Sequence, residues 1–130
     1  APTCFMLIKT SIFDTVGLMD ERYFVYYDDS DFVYRATHKH NCKLLYVPSS
    51  IIYHKVSFCT GSDQSDFSIK YLSRNHIYFG LKNSNFFGRG LFLSYIVLHY
   101  FLRDIWKKPI RTRKLIVSSY LEGLRLYYQK

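Results

Sequence analysis

Three carboxylates that lie close together are the residues of this sequence best suited to chemistry. Asp28, Asp29 and Asp31 fall within four positions, directly after the aromatic run Tyr23–Tyr27. A positioned carboxylate can act as a general base, whereas acids at the start of a helix can also serve only as caps. The residues alone leave both interpretations open.

The element that must position these acids is a helix that begins at them. Backbone N–H groups left free at a helix N-terminus, together with the helix dipole, stabilise negative charge there. We predict Asp28, Asp29 or Ser30 as the N-cap, and an end near His40–Asn41, since asparagine tolerates the left-handed conformation of a C-terminal cap. The residues expected to turn inward are Phe32, Val33 and Ala36.

Composition and charge restrict the classes of protein. The chain has 130 residues, of which 48% are hydrophobic and 19% aromatic, and its formal net charge is +8. It is therefore one domain or part of one, with a basic surface suited to phosphates, anionic lipid or nucleic acid. Cys4, Cys42 and Cys59 lie far apart, which argues against a disulfide framework and a zinc site and fits a reducing compartment. The opening Ala-Pro-Thr-Cys has no initiator Met and no signal-peptide pattern, so we expect an internal piece of a longer protein.

The first part of the chain alternates between extended and helical patterns. Short apolar runs predict strands over Cys4–Ile8, Lys43–Val47 and Ile51–His54. Helical patterns cover a short segment from a Thr10 or Ser11 cap to Val16, with Gly17 as its C′ residue, and the longer segment Phe67–Lys82. On the longer helix, one face is expected to carry Ile69, Leu72, His76 and Phe79. Ser57–Asp66, rich in small polar residues, is predicted to be a mobile loop. The pattern predicts an α+β fold of short strands flanked by helices.

The C-terminal part has a different character and predicts a second region, 83–130 after 1–82. The aromatic and apolar segment Phe86–Trp106 overlaps at its end with the basic stretch Arg103–Lys114. Pro109 is expected in the first turn of a final helix. The stripe expected on that helix is Val117, Tyr120, Leu121, Leu124 and Tyr128. From Arg103 onwards, eight Lys and Arg residues against two acidic residues leave a net charge of +6. This composition is typical of a membrane-surface element, and packing on the domain or on a second copy is the alternative.

The ordered set of motifs resembles a known family. The bend GLMDE, the aromatics, the pair Asp28-Asp29, the step from Asp31 to Arg35, the LLYVP strand and the segment IIYH follow one another at characteristic spacings. Together they resemble the second half of the family 2 glycosyltransferases of GT-A fold, particularly the rhamnosyltransferase-like bacterial enzymes of surface polysaccharide synthesis. The acidic pair is Asp-Asp where Glu-Asp is usual, and Leu18-Met19 stands in the usual Gly-Phe region. The match covers about Cys4–Asn75.

The resemblance implies an inverting glycosyl transfer, in which one base takes a proton from the attacking acceptor hydroxyl. By position Asp29 matches that base, and Asp28 is expected to orient Asp29 or the acceptor. Asp31 is expected to be structural and to pair with Arg35 four positions later. The family's first half, which binds the nucleotide and holds the metal, has no counterpart here. We therefore expect the isolated chain to be inactive and to expose strand edges that favour self-association.

Further positions carry expected binding roles. The substrate-binding residues are predicted to be Arg35, Arg74 and Ser57. Arg74 meets a phosphate of the donor or of a lipid-diphosphate acceptor in one interpretation, and pairs with Asp66 or Asp63 in the other. His54 matches a histidine that joins the metal site or the diphosphate in some relatives, and its alternative is a packing role. The implied ion is Mg²⁺ or Mn²⁺, held mainly by the missing half.

The resemblance also implies a set of partners. They are a nucleotide-sugar donor, a saccharide or polyprenyl-diphosphate-linked acceptor, and an anionic membrane surface, with a cytoplasmic location that can be peripheral at the inner face of the membrane. We predict no nucleic-acid partner, because the basic residues cluster in one tail while the central block is acidic. The alternatives are a nucleic-acid-binding module, which would bind DNA or RNA in a salt-dependent way, and a non-catalytic membrane-associated scaffold.

Overall fold

The structure is a computed structural model that describes residues 5–53 and 65–129. The chain divides into two compact units, Ala1–Phe58 and Cys59–Lys130, and each unit has its own apolar core. The long helix that begins at Asp66 belongs to the same unit as the C-terminal helices. The predicted regions 1–82 and 83–130 are defined by their expected roles, and that division by role stays a prediction.

The first unit is built from short helical elements. They are α1 (Ser11–Val16), a 3₁₀ turn (Glu21–Tyr23), α2 (Asp28–Tyr34) and a π-helical turn that continues it (Arg35–Lys39). Gly17 ends α1 with a positive φ of 78°, and its N–H donates to the carbonyl oxygen of Phe13. Asn41, with φ 53°, ends the second helical segment. Both predicted helix ends are confirmed, because each depends on a local backbone conformation that Gly or Asn adopts at low cost.

The core of the first unit joins α1 to α2. Val16, Phe32 and Ala36 are buried, and the rings of Phe13 and Phe32 pack with centroids 5.4 Å apart. The partly buried residues around them are Ile8, Ile12, Phe13, Met19 and Cys42. Two of the three side chains predicted to turn inward from α2 are therefore buried, while Val33 is half-buried.

The second unit is a set of longer helices. They are α3 (Asp66–Asn83), α4 (Phe86–His99), a π-helical turn (Tyr100–Asp104), α5 (Ile105–Lys107) and α6 (Ile110–Tyr128). Ser65 caps α3 by accepting the Ser68 N–H at 3.1 Å, and Asn85 caps α4 by accepting the Gly88 N–H at 2.8 Å. Pro109 is the N-cap of α6, one position before the first turn in which we predicted it. In the part of the chain that the structure describes, no helix is both long and apolar enough to pass through a bilayer.

The second core lies where α3 meets α4 and α6. Ile77, Leu81 and Ile96 are buried at its centre. The residues packed around them are Phe92, Leu93, Tyr120, Leu124 and Tyr127. The ring of Phe92 lies against Gly80, where a Cβ atom would overlap it. The approach of these helices therefore depends on small residues as well as on apolar ones.

The buried faces of α3 and α6 differ from those predicted. The predicted α3 face, Ile69, Leu72, His76 and Phe79, is only half-buried. The buried residues of α3 are Ser68, Arg74, Asn75, Ile77, Tyr78, Gly80 and Leu81. On α6, Tyr120 and Leu124 pack on the core as predicted. The other members of the predicted stripe, Val117, Leu121 and Tyr128, are exposed, and the buried residues are Ile116, Ser119 and Gly123. The small side chains of α6 form its contact face because they let the backbones come close.

The predicted α+β fold is wrong, since residues 5–53 and 65–129 contain helices and irregular segments but no strand. Lys43–Val47 and the described part of Ile51–His54 are irregular, and Leu45 and Tyr46 are highly exposed. In the first predicted strand, residues 6–8 are irregular too. An apolar run becomes a strand only when a neighbouring segment completes its backbone hydrogen bonds, and within the described residues no segment does so.

Candidate active site

Backbone strain marks the residues that lead into the acidic helix start. Phe24, Tyr26 and Tyr27 have φ values of 63°, 62° and 67°, a region that residues other than glycine seldom occupy. At Phe24 the chain makes a γ-turn, closed by the N–H of Val25 on the carbonyl oxygen of Tyr23 at 2.7 Å. Residues held in such conformations cluster at functional sites, where the surrounding structure over-determines them.

The start of α2 also differs from the prediction. Its N-cap is Tyr27, which makes no side-chain capping bond, and not Asp28, Asp29 or Ser30. The three aspartates lie within the first turn instead. Tyr27, in a left-handed conformation, is the last residue before the helix, so Asp28 already belongs to the first helical turn. A side-chain cap at Asp28 would instead have left that residue outside the helix. Burial raises the pKa of the Tyr27 phenol above its ordinary value of 10.0.

Asp31 is the buried anchor of this turn. Its side chain is 0% exposed. It accepts a hydrogen bond from the Tyr23 hydroxyl at 3.2 Å and one from Arg35 Nε at 2.9 Å. The predicted ion pair four positions apart is therefore present. The contribution of Tyr23 was not predicted, and its spacing of eight residues from Asp31 gives no local signal of the contact.

Arg35 ties α2 to the end of α1. Its terminal nitrogens donate to the carbonyl oxygens of Val16 and Leu18, the latter at 2.8 Å. With Nε on Asp31, all three guanidinium nitrogens have partners inside the unit. These contacts account for Arg35 as a structural residue, and its predicted contact with substrate stays a prediction.

Asp28 and Asp29 are both half-buried, but their surroundings differ. Asp29 Oδ1 accepts the backbone N–H of Ser30 at 2.6 Å and the Ser30 hydroxyl at 3.2 Å, which orients its carboxylate. Asp28 lines an open cleft of about 320 Å³. The other residues around that cleft are Met19, Asp20, Glu21 and Phe24. The carboxylate that faces the cleft is thus that of Asp28, one position before the predicted base.

The acids around this cleft do not form a cation site. Asp20 is held by Arg22, whose Nε and Nη2 lie 2.9 and 2.8 Å from its two oxygens. Within residues 5–53 and 65–129, no three His, Cys, Asp or Glu side chains are arranged to hold a metal ion. His54, the predicted metal ligand, and Ser57, with most of the predicted Ser57–Asp66 loop, lie outside the described residues. The described residues therefore do not form a Mg²⁺ or Mn²⁺ centre of their own.

Arg74 belongs to the second unit and is buried within it. Its Nε donates to Asn75 Oδ1 at 2.8 Å, and its Nη1 lies 3.5 Å from Glu122 Oε1 on α6. Its guanidinium carbon is 4.6 Å from the centre of the Tyr71 ring. Neither predicted acid is its partner among the described contacts, because Asp66 pairs with Arg111 at 2.5 Å and Asp63 is not described. These contacts link α3 to α6, and a phosphate contact stays a prediction.

Comparison with known proteins identifies no relative, since no family model, curated protein or solved structure matches the chain.

Proposed function

We propose that the chain is the acceptor-side part of an inverting family 2 glycosyltransferase, with Asp29 as the general base. The observation that carries the proposal is that three neighbouring acids differ in burial and in their partners. Asp31 is fully buried and paired, whereas Asp28 and Asp29 are half-buried at the start of α2. One anchored acid, Asp31, is enough to hold the turn, so its structural role does not account for Asp28, which lines the cleft, or for Asp29 next to it.

In the proposed reaction, the acceptor hydroxyl oxygen forms a bond to the anomeric carbon of the donor sugar. The bond from that carbon to the nucleoside-diphosphate oxygen breaks, and the hydroxyl proton moves to the carboxylate of Asp29. The two hydrogen bonds from Ser30 hold this carboxylate in one orientation. Asp28, on the cleft, orients the acceptor. A divalent cation, Mg²⁺ or Mn²⁺, would neutralise the diphosphate leaving group from the half of the enzyme that binds the nucleotide.

The proposed partners are a nucleotide sugar and a saccharide or polyprenyl-diphosphate-linked acceptor. The proposed place of action is the inner face of the cytoplasmic membrane, where a lipid-linked acceptor would be found. Self-association through the exposed apolar segment Lys43–Val47 is part of the same proposal. The exposure of Leu45 and Tyr46 supports it, because contiguous exposed apolar surface commonly marks an interaction site.

The decisive experiment uses the intact parent polypeptide with a panel of sugar nucleotides, Mn²⁺ and a lipid-linked acceptor. Three variants are compared with the unchanged protein: Asp29→Asn, Asp28→Asn and, as a control, Asp14→Asn on the exposed side of α1. We expect Asp29→Asn to lower the transfer rate by about 10²–10⁴-fold, the usual contribution of a general base, with nucleotide affinity unchanged. Asp28→Asn should raise the KM for the acceptor, and Asp14→Asn should leave both quantities unchanged.

Other outcomes are equally informative. A large loss in Asp28→Asn with normal transfer by Asp29→Asn would move the base to the residue that lines the cleft. Normal transfer by both variants would reduce the acidic cluster to a structural feature of α2. Failure of the unchanged protein to bind any sugar nucleotide would overturn the enzyme proposal.

A further inference from the structure

The outward side of α4 carries an apolar stripe that no described part of the second unit covers. Its residues are spaced by four, four, three and four positions, so they follow one side of the helical segment. We call this stripe, which continues from α4 into the π-helical turn after it, the α4 outer face: Phe87, Leu91, Tyr95, Leu98 and Leu102. Their exposures range from 56% at Tyr95 to 81% at Phe87, whereas Ile96 on the opposite side is buried in the core.

The charges around this face have a one-sided distribution. Residues 90–102 contain no Asp, Glu, Lys or Arg. Arg103 and Lys107 follow at once and are exposed, and Asp104 is the one acid in the segment 103–108. Between the two cations lies Trp106, 83% exposed and the only tryptophan of the chain. An apolar stripe thus ends in an exposed indole among lysine and arginine side chains.

The described acidic side chains of this unit, Glu122 and Asp66, are engaged by other cations. Glu122 is engaged by Lys70 at 3.4 Å and by Arg74 at 3.5 Å. Asp66 is engaged by Arg111 at 2.5 Å. Each of these carboxylates therefore already has a basic partner.

We propose that the α4 outer face is a docking surface for a bilayer containing anionic phospholipid. Charge complementarity identifies this occupant: a bilayer interface offers hydrocarbon to the stripe, negative headgroups to Arg103 and Lys107, and the boundary at which tryptophan is favoured. A second copy of this face would bring only Asp104 to set against Arg103, Lys107 and Lys108, because residues 86–103 contain no acid. Docking on this face goes beyond the transfer reaction and stands without it.

The test uses the 130-residue chain and vesicles made with and without phosphatidylglycerol in phosphatidylcholine. Binding is measured by co-sedimentation and by the emission of Trp106, which reports on one site because no other tryptophan is present. We expect binding to the anionic vesicles, a blue shift of the emission and quenching by brominated acyl chains. Binding should weaken by about tenfold or more in phosphatidylcholine alone, and also in high salt.

Matched variants separate the face from general charge effects. Leu91→Glu with Leu98→Glu places two acids on the α4 outer face, and Leu7→Glu with Leu18→Glu places two on exposed leucines of the other unit. Both double variants change the net charge equally. We expect the first to reduce vesicle affinity by about tenfold or more and the second to have a much smaller effect. Circular dichroism of each variant verifies that the helices are retained.

Four results would overturn the proposal. They are absence of binding to anionic vesicles, equal losses in the two double variants, a dimer in solution that Leu91→Glu with Leu98→Glu dissociates, and a Trp106 response to mixed-sequence oligonucleotides but not to vesicles. The dimer would assign the face to a second copy, and the oligonucleotide response would assign the cations to nucleic acid. Vesicle binding is measured without a sugar nucleotide, so its failure and the failure of transfer are separate results.

Discussion

Gly123 on α6 packs directly on the backbone carbonyl of Arg74 on α3. A Cβ atom at position 123 would overlap that oxygen and would lie 3.0 Å from the Cβ of Ile77. Main-chain atoms cannot move aside without shifting the helix. The separation of α3 and α6, and with it the contact of Arg74 with Glu122, therefore depends on a single absent methyl group.

Gly123→Ala should destabilise the second unit. Overpacking of a close contact costs roughly 1–3 kcal/mol, which outweighs the gain of about 1 kcal/mol in helix propensity. The free energy of unfolding in urea, followed by circular dichroism at 222 nm, measures the change. Gly90→Ala is the matched control on α4, since its Cβ would meet nothing within 4 Å. That variant should be neutral or more stable, and equal effects of the two substitutions would contradict the packing found at Gly123.

Asp31→Asn should weaken the first unit, because it leaves Arg35 without its buried carboxylate. Removing one partner of a buried ion pair costs roughly 3 kcal/mol or more. Hydrogen–deuterium exchange of peptides from residues 5–53 measures this unit separately. Asp28→Asn, at the half-buried position on the cleft, should cost about 1 kcal/mol or less, the usual size of a helix-dipole interaction. If both variants exchange alike, Asp31 does not anchor the turn.

His76 should make the second unit less stable in acid. Burial, and to a smaller extent the charge of His99, lower the pKa of the His76 imidazole below its ordinary 6.5. The unfolded chain then binds a proton more readily than the folded one, so the free energy of unfolding rises with pH in this range. Stability should be full above about pH 6.5 and should fall as the pH decreases from there towards the lowered pKa.

Urea denaturation at pH 7.5 and at pH 5.5 tests this dependence on the unchanged chain, His76→Gln and His40→Gln. The first variant removes the half-buried imidazole that packs edge-on against Phe92, with ring centres 5.3 Å apart, and should flatten the dependence. The second replaces an exposed histidine and should preserve it. An unchanged slope in His76→Gln would assign the acid sensitivity to other groups.

Interactions between near neighbours could be predicted from the residues. The ends of the first two helical segments at Gly17 and Asn41, the helix covering Phe67–Lys82 and the pair of Asp31 with Arg35 are all present. Each depends on backbone conformation or contacts within a few positions of the chain. Such local conformational preferences do not depend on what the segment packs against.

Partners distant in sequence could not be predicted in this way. The carbonyls of Val16 and Leu18 on Arg35, the hydroxyl of Tyr23 on Asp31 and the carboxylate of Glu122 near Arg74 all join separate elements. The residue types at these positions are compatible with many partners. Only the three-dimensional arrangement selects among them.

The fold class and the buried faces show the same limit. The apolar pattern of Lys43–Val47 indicates an extended segment, but a strand also needs a neighbour whose backbone groups complete its hydrogen bonds. On α6, helical periodicity correctly placed Tyr120 and Leu124 on the core but favoured Val117 over Ser119 and Gly123, because apolar character was taken as the signal of burial. Close approach to α3 selects the small residues instead, since backbone contact requires the absence of side-chain volume, and hydropathy does not measure that.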